Sequence, residues 1–198
     1  HPLRRSYRGG HWPLDFTASL TASLNGLAVQ ENATLFMVLL AAFQLLLHRY
    51  SGQDDIAVGS AVTDRPYAEC EGLIGFFVNT LVLRGDLRGQ PSFRQYLRRV
   101  REVCLDAYAH RDIPFEKLVE DLKVRRDLHR QPLFQAFLVL QNTPNRPVLP
   151  DGLVVGPVAV DSAAAPYDLS LYLRERGARL LGHFEYASDL FDAATVER

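Results

Sequence analysis

Six histidines stand at positions 1, 11, 48, 110, 129 and 183, and two cysteines at 70 and 104. No two histidines are adjacent, no pair has the helical spacing that sets two imidazoles around a metal, and the cysteines lack CxxC spacing. The sequence holds no GxSxG elbow, Walker loop, HExxH or GxGxxG. Serine-hydrolase, nucleotide-triphosphatase, zincin and dinucleotide-binding chemistry therefore lose their usual anchors. Neither thiol has a basic neighbour in a motif that lowers its pKa, so both read as reduced, structural cysteines. His48 ends a buried helix, where an imidazole meets unpaired carbonyls. His183 falls on the strand face opposite Leu180, Phe184 and Tyr186 and reads as solvated.

Three segments set polar groups among apolar or turn residues. In Ile74-Gly-Phe-Phe-Val-Asn79-Thr-Leu, an amide sits mid-strand, where burial obliges it to find partners. In His110-Arg-Asp-Ile-Pro-Phe-Glu116, charges flank Ile113-Pro114 at a corner between helices. Arg125-Arg-Asp-Leu-His-Arg-Gln-Pro-Leu133 is basic and loop-like, just before an apolar run. Each has a structural reading beside any functional one: an amide tying two strands, a corner locked by Pro114 and a salt bridge, and guanidiniums paired with Asp121 or Asp127.

The elements that must position these segments follow from periodicity. Residues 1–16 are polar, aromatic and Gly/Pro-punctuated, and read as a linker or extended lead-in. Thr17 caps a first helix, and Asn32 or Thr34 opens a second over Leu35–Arg49, apolar almost all round and hence buried on most sides. Ile56–Val62 is a strand-length run, and a buried strand runs from about Val78. Ser92 with Gln95 is a capping-box signature for a long helix whose stripe is Phe93, Leu97, Val100, Cys104 and Ala107. Pro114 suits the first turn of a helix over Phe115–Leu122. Leu133–Leu140 reads as a buried strand, and Val154–Val160 as an edge or crossing strand because of Pro157. Alternation over Asp168–Glu175 and back over Leu180–Tyr186 predicts an antiparallel hairpin, and Asp192 begins a last helix. The expected fold class is α/β, a mixed sheet with packed helices.

With 198 residues, 47% apolar and 23% charged, the composition is that of a globular domain large enough to bury a core without a metal or disulfide staple. A net charge of −1 removes the electrostatic footprint of a nucleic-acid or anionic-membrane binder. The apolar stretch Leu35–Leu47 is too short to span a bilayer. A cytoplasmic location is expected. The chain does not begin with Met and reads as a piece of a longer protein.

Taken together, the three segments resemble core motifs of the condensation domain of nonribosomal peptide synthetases. Ile74–Arg84 is similar to IGxFVNTLxLR. His110–Glu116 is similar to HQDxPFE, with Arg111 in place of Gln. Arg126–Gln135 is similar to RDxSRxPLFQ, with His129 in place of Ser. Thr34–Ser60 and the ending EYASDLFDAATVER are also typical of the family, and the matches run in family order from about Arg5 onward.

The resemblance implies one lobe of a two-lobed, chloramphenicol acetyltransferase-like fold with the reaction tunnel between lobes. These domains join two carrier-bound thioesters by attack of an acceptor amine. The family signature HHxxxDG belongs to the N-terminal lobe and does not occur here. The chain thus resembles the C-terminal lobe only: residues 1–16 connect the lobes, residues 17–198 form the lobe, and residues 142–166 are the crossing segment that latches onto the other lobe. The last helix ends before the family's usual final helix is complete. No residue of this chain is implied as catalytic. Ser60, Gly75 and Asn79, with the loop Thr63–Phe77, are implied to line the tunnel. His110, Asp112, Pro114, Arg126, Asp127 and Arg130 are implied as structural motif residues. No metal or nucleotide is implied, and phosphopantetheine enters only as the carrier proteins' substrate tether. Implied partners are the N-terminal lobe, donor and acceptor carrier proteins and an adjacent adenylation domain, with no nucleic acid and no membrane. Gly75-Phe-Phe-Val-Asn79 departs from the epimerization and heterocyclization branches, which favours ordinary peptide-bond formation. The alternative is a non-catalytic docking module built on the same half-fold.

Overall fold

A computed structural model describes residues 6–63, 68–70, 72–124, 130–141 and 163–198. Where the sequence predicts only a lead-in, the structure forms strand β1 (Gly9–Phe16). Its alternation of Gly10, Trp12, Leu14 and Phe16 with His11, Pro13 and Asp15 is hidden by the glycine pair and the proline, both of which an edge strand accepts. Helix α1 (Ala18–Gln30) starts where Thr17 accepts the Leu20 amide at 3.3 Å. Helix α2 (Leu35–Ser51) starts on Thr34, which accepts the Met37 amide at 3.2 Å, and stops at Gly52 with φ 69°, a left-handed conformation that glycine adopts without strain.

Strand β2 (Asp55–Thr63), a 3-10 turn (Ala68–Cys70) and strand β3 (Val78–Asp86) follow. Helix α3 (Phe93–Ala109) carries the expected reciprocal cap: Ser92 accepts the Gln95 amide and Gln95 accepts the Ser92 amide. Then come α4 (Phe115–Asp121), β4 (Ala136–Gln141), β5 (Leu169–Arg176), β6 (Arg179–Ala187) and α5 (Ala193–Glu197).

One six-stranded mixed sheet orders these strands β1-β6-β5-β4-β2-β3. β4 lies parallel to both β2 and β5, and the other pairs are antiparallel. β2 and β4 align at only two positions, Val58 with Ala136 and Gly59 with Phe137. One step further, the Ser60 hydroxyl donates to the Leu138 carbonyl at 2.7 Å and extends the contact with a side chain.

Helices α1, α2 and α3 cover one sheet face, and the core lies between the two layers. Val38, Leu40, Val58, Leu83, Leu97, Cys104, Leu138 and Leu180 are completely buried there. Each such aliphatic side chain contributes about 1.5–3 kcal/mol on leaving water. Inside this core Gln44 donates to the Leu83 carbonyl at 2.9 Å and accepts the Tyr96 hydroxyl at 2.7 Å, so neither polar group is left unpaired. At the helix ends, Arg94 and Arg98 both pair with Glu31, whose carboxyl they hold below its ordinary range.

The strand expected from Leu133 begins later, at Ala136. Phe134 instead lays its ring over Gly59, in the space a Cβ there would need. The expected strand Val154–Val160 and residues 142–162 of the expected crossing segment lie outside the described residues. The end of that segment is tied to the start of the chain: Ala165 donates to the Tyr7 carbonyl and Gly9 to the Ala163 carbonyl, each at 2.8 Å. Among the described residues, no single helix is long and apolar enough to cross a membrane.

Candidate functional site

Asn79 lies near the start of β3, on the same face as Leu81 and Leu83. Its amide nitrogen donates to the carbonyls of Arg111 at 2.8 Å and Ile113 at 2.7 Å. Its amide oxygen accepts the backbone amides of Thr80 at 2.8 Å and Phe115 at 3.2 Å. A carboxamide offers two donors and two lone pairs, and all four are used. The need for them arises in the corner itself. α3 ends at Ala109, the chain reverses through residues 110–113, and Pro114 brings no N–H to the start of α4, so the turn leaves carbonyls that no helix satisfies. Only a side chain with both donors and acceptors closes this junction, which accounts for asparagine here. Among the described residues no ion pair spans the corner, and it is this amide that ties it to β3.

The third segment joins through aromatic packing. Phe134 meets Phe115 with ring centroids 5.7 Å apart, Phe137 at 5.9 Å and Tyr167 at 5.5 Å. Segments far apart in sequence thus converge: Asn79 grips the corner, and the residue after the corner's proline packs on the residue after Leu133.

Beside this junction the surface is unusually apolar. Ile74 and Phe76, in the loop leading to β3, are 105% and 89% exposed, and Val78 and Ile113 are also exposed. Large apolar side chains displayed together mark an interaction surface.

The remaining expected residues are placed as follows. Ser60 is buried, its hydroxyl committed to Leu138. Gly75 lies in the exposed loop between Ile74 and Phe76. His110 closes α3 with Nδ1 2.8 Å from the Asp106 carbonyl. Asp112 and Pro114 are exposed on the corner, and Pro114 accepts the amides of Lys117 and Leu118 at 3.0 and 3.1 Å. Asp121 pairs with Lys117 at 2.8 Å rather than with a guanidinium. Arg130 is exposed, and Arg126 and Asp127 lie outside the described residues. Burial pushes the Cys104 thiol up to about 12, which leaves it inert as a nucleophile. His48 Nδ1 meets the Gln53 carbonyl at 2.8 Å, just past its helix.

One constellation is not apparent from the sequence. His183 is half-buried rather than solvated: it stacks on Tyr172 with centroids 5.1 Å apart and lies 5.2 Å from the His11 ring. Part of the signal lies in the hairpin alternation, which puts Ser170, Tyr172, His183 and Glu185 on one face once the turn at Gly177 fixes the register. What hides the rest is strand β1, which supplies His11. Elsewhere, a groove of about 1010 Å³ lined by Trp12, Leu46, Tyr50, Leu122, Phe184 and Val196 touches neither Asn79 nor the corner. Among the described residues no group of three His, Cys, Asp or Glu side chains is arranged to hold a metal ion.

A mixed α/β fold in which these three motifs meet at one junction has a counterpart among known proteins. Residues 1–198 match the family described as the condensation domain, and the chain belongs to it. It is 49% identical over 199 residues to a polypeptide of the linear gramicidin synthase of Brevibacillus parabrevis, matched over 100% of this chain and 4% of the relative's length. The chain therefore spans only a small part of that relative. Among solved structures it superposes on the condensation domain from the monacolin K polyketide synthase MokA with a TM-score of 0.84 at 21% identity, covering 100% of this chain and 46% of that one. It superposes on the X-domain from teicoplanin biosynthesis, solved in complex with OxyB, with a TM-score of 0.85 at 30% identity, covering 99% of this chain and 44% of that one.

Proposed function

We propose that this chain is the C-terminal lobe of a condensation domain that forms peptide bonds between carrier-bound aminoacyl or peptidyl thioesters. The observation that carries the reading is the Asn79 junction, which joins two family motifs next to the exposed Ile74 and Phe76. A facing lobe would cover that apolar surface, and a match to 46% of a condensation-domain chain fits half of a two-lobed unit. In the reaction, the acceptor amine forms a C–N bond to the thioester carbonyl, the C–S bond breaks, and the amine proton must pass to a positioned base. This lobe supplies one wall of the passage and holds tethered substrates in line, whereas the imidazole that takes the proton belongs to the other lobe. Ser60, Gly75 and Asn79 act in shaping that wall. The carrier proteins, with their phosphopantetheine tethers, and a neighbouring adenylation domain are the partners of the whole assembly.

The test is a condensation assay with both carrier-bound substrates. The 198-residue chain alone should give no product above background, and the two lobes together should turn over. Turnover by the chain alone overturns the reading.

A second reading, a non-catalytic docking module, is favoured by the likeness to an X-domain solved in complex with OxyB. The reading frame upstream of His1 separates the two: an HHxxxDG there supports catalysis, and its absence supports docking.

A further inference from the structure

On the sheet face away from α1–α3, side chains from three strands line up in rows. His11 of β1 stands opposite Glu185 of β6, which stands opposite Ser170 of β5. The next row is Pro13, His183 and Tyr172, and the one beyond is Asp15, Leu181 and Arg174. On the other flank Ala187 donates to the carbonyl of Asp168, whose own carboxylate is buried. Glu185 is 8% exposed and Ser170 1%. His11 Nε2 lies 3.4 Å from Glu185 Oε2, and Glu185 Oε1 is buried with no hydrogen-bond partner.

The order of the groups excludes one function. The carboxylate stands between the serine and the imidazole, so no imidazole is placed to take the serine proton, and the row is not a nucleophile relay. What remains is a problem of charge. A buried carboxylate is costly unless a positive charge or a proton neutralises it. Among the described residues the positive group beside it is His11 when protonated; Arg174 is two rows away, and Tyr172 and Tyr167 are neutral phenols. One proton on the pair, on either partner, balances the site. With no proton, the carboxylate must reach water, and the element that can yield is edge strand β1, which among the described residues is hydrogen-bonded beyond Gly9 to β6 alone.

We propose that His11 and Glu185 share one proton that clasps edge strand β1 onto β6, and that losing this proton as pH rises loosens β1. Burial, opposed more weakly by His11 and Ser170, raises the Glu185 pKa above its ordinary 4.5. An acid raised in the folded state contributes stability at low pH that is lost as pH climbs through the folded value, which is the direction proposed. His183 stays out of the exchange: burial first, then His11 and Arg174, hold its pKa below the ordinary 6.5, which keeps a second proton off the cluster.

The experiment is hydrogen exchange read by mass spectrometry on the intact polypeptide from about pH 5.5 to 8.5, corrected for the intrinsic pH dependence of exchange. Peptides covering residues 9–16 should lose roughly tenfold in protection across this range, while α2 keeps its protection. Glu185→Gln, which has no charge to expose, should flatten the β1 profile, and His183→Gln should leave the slope in place. If Glu185→Gln fails to fold, His11→Phe serves instead: without the imidazole, which pulls the carboxyl's pKa down, the carboxyl keeps its proton longer, and the β1 midpoint moves to higher pH. A flat wild-type profile, an unchanged slope in Glu185→Gln or an unmoved midpoint in His11→Phe overturns the proposal.

Discussion

The carboxamide of Asn79 reaches the carbonyl of Ile113 at 2.7 Å, so a strand and a helix corner 34 residues further along the chain are held by one side chain. Asn79→Asp keeps the shape but removes both donors and turns a carboxylate toward two carbonyl oxygens. Because the site is only partly buried, the loss should be about 1–3 kcal/mol in urea unfolding. Exchange of the corner amides 110–115 should rise with it. A variant as stable as the wild type, with an equally protected corner, would show that the corner holds itself.

Gln44 and Tyr96 form the polar heart of an apolar core, and their contributions should not add. Tyr96→Phe leaves Gln44 Oε1 without its donor, and Gln44→Leu leaves the Tyr96 hydroxyl without its acceptor and takes the Gln44 donor from the Leu83 carbonyl. Each change should destabilise by about 1–3 kcal/mol, and the double variant should lose clearly less than the sum. Strict additivity in a denaturation cycle contradicts the network.

Two glycines should respond with opposite signs to alanine. At Gly26, inside α1, a Cβ meets nothing within 4 Å, so Gly26→Ala should stabilise by about 0.5–1 kcal/mol through helix propensity. At Gly182 a Cβ falls on the Tyr172 carbonyl oxygen of the neighbouring strand, backbone that cannot swing aside. Gly182→Ala should cost at least about 2 kcal/mol or prevent folding. Thermal melts of the two variants side by side decide the matter.

Alkaline pH should unfold the protein through its interior acids. Burial raises the pKa of Cys104 from 9.0 to about 12 and drives those of Tyr96 and Tyr108 well above their ordinary 10.0. The unfolded chain then gives up these protons first, so stability falls as pH rises beyond about 9. Cys104→Ala should soften the earliest part of that decline, and the Cys104 thiol should resist alkylation at about pH 8 until denaturant is added.

Much of the molecule is legible from local rules, and the exceptions share a cause. Thr17 and Ser92 cap helices where predicted, and of the two candidates for α2 it is Thr34 that caps, because a cap is decided within about four residues. The hairpin β5–β6 is equally local. Strand β1 escapes because its pattern means nothing until β6, far away in sequence, lies beside it. Phe134 looks like the second residue of a strand, and only the open space above Gly59 explains why it is not. At the candidate site the three segments can be picked out by their mixed chemistry, but their meeting cannot. That Asn79 serves the corner rather than a neighbouring strand depends on where α3 ends in space.

The seam between β2 and β4 has a mechanical consequence. Among the described residues, two aligned residue pairs and one serine hydroxyl make up the hydrogen-bonded weld between the β2–β3 ribbon and the other four strands. Under load the sheet should therefore part first along this seam, where side chains such as Phe134 over Gly59, rather than backbone pairing, hold the two parts together.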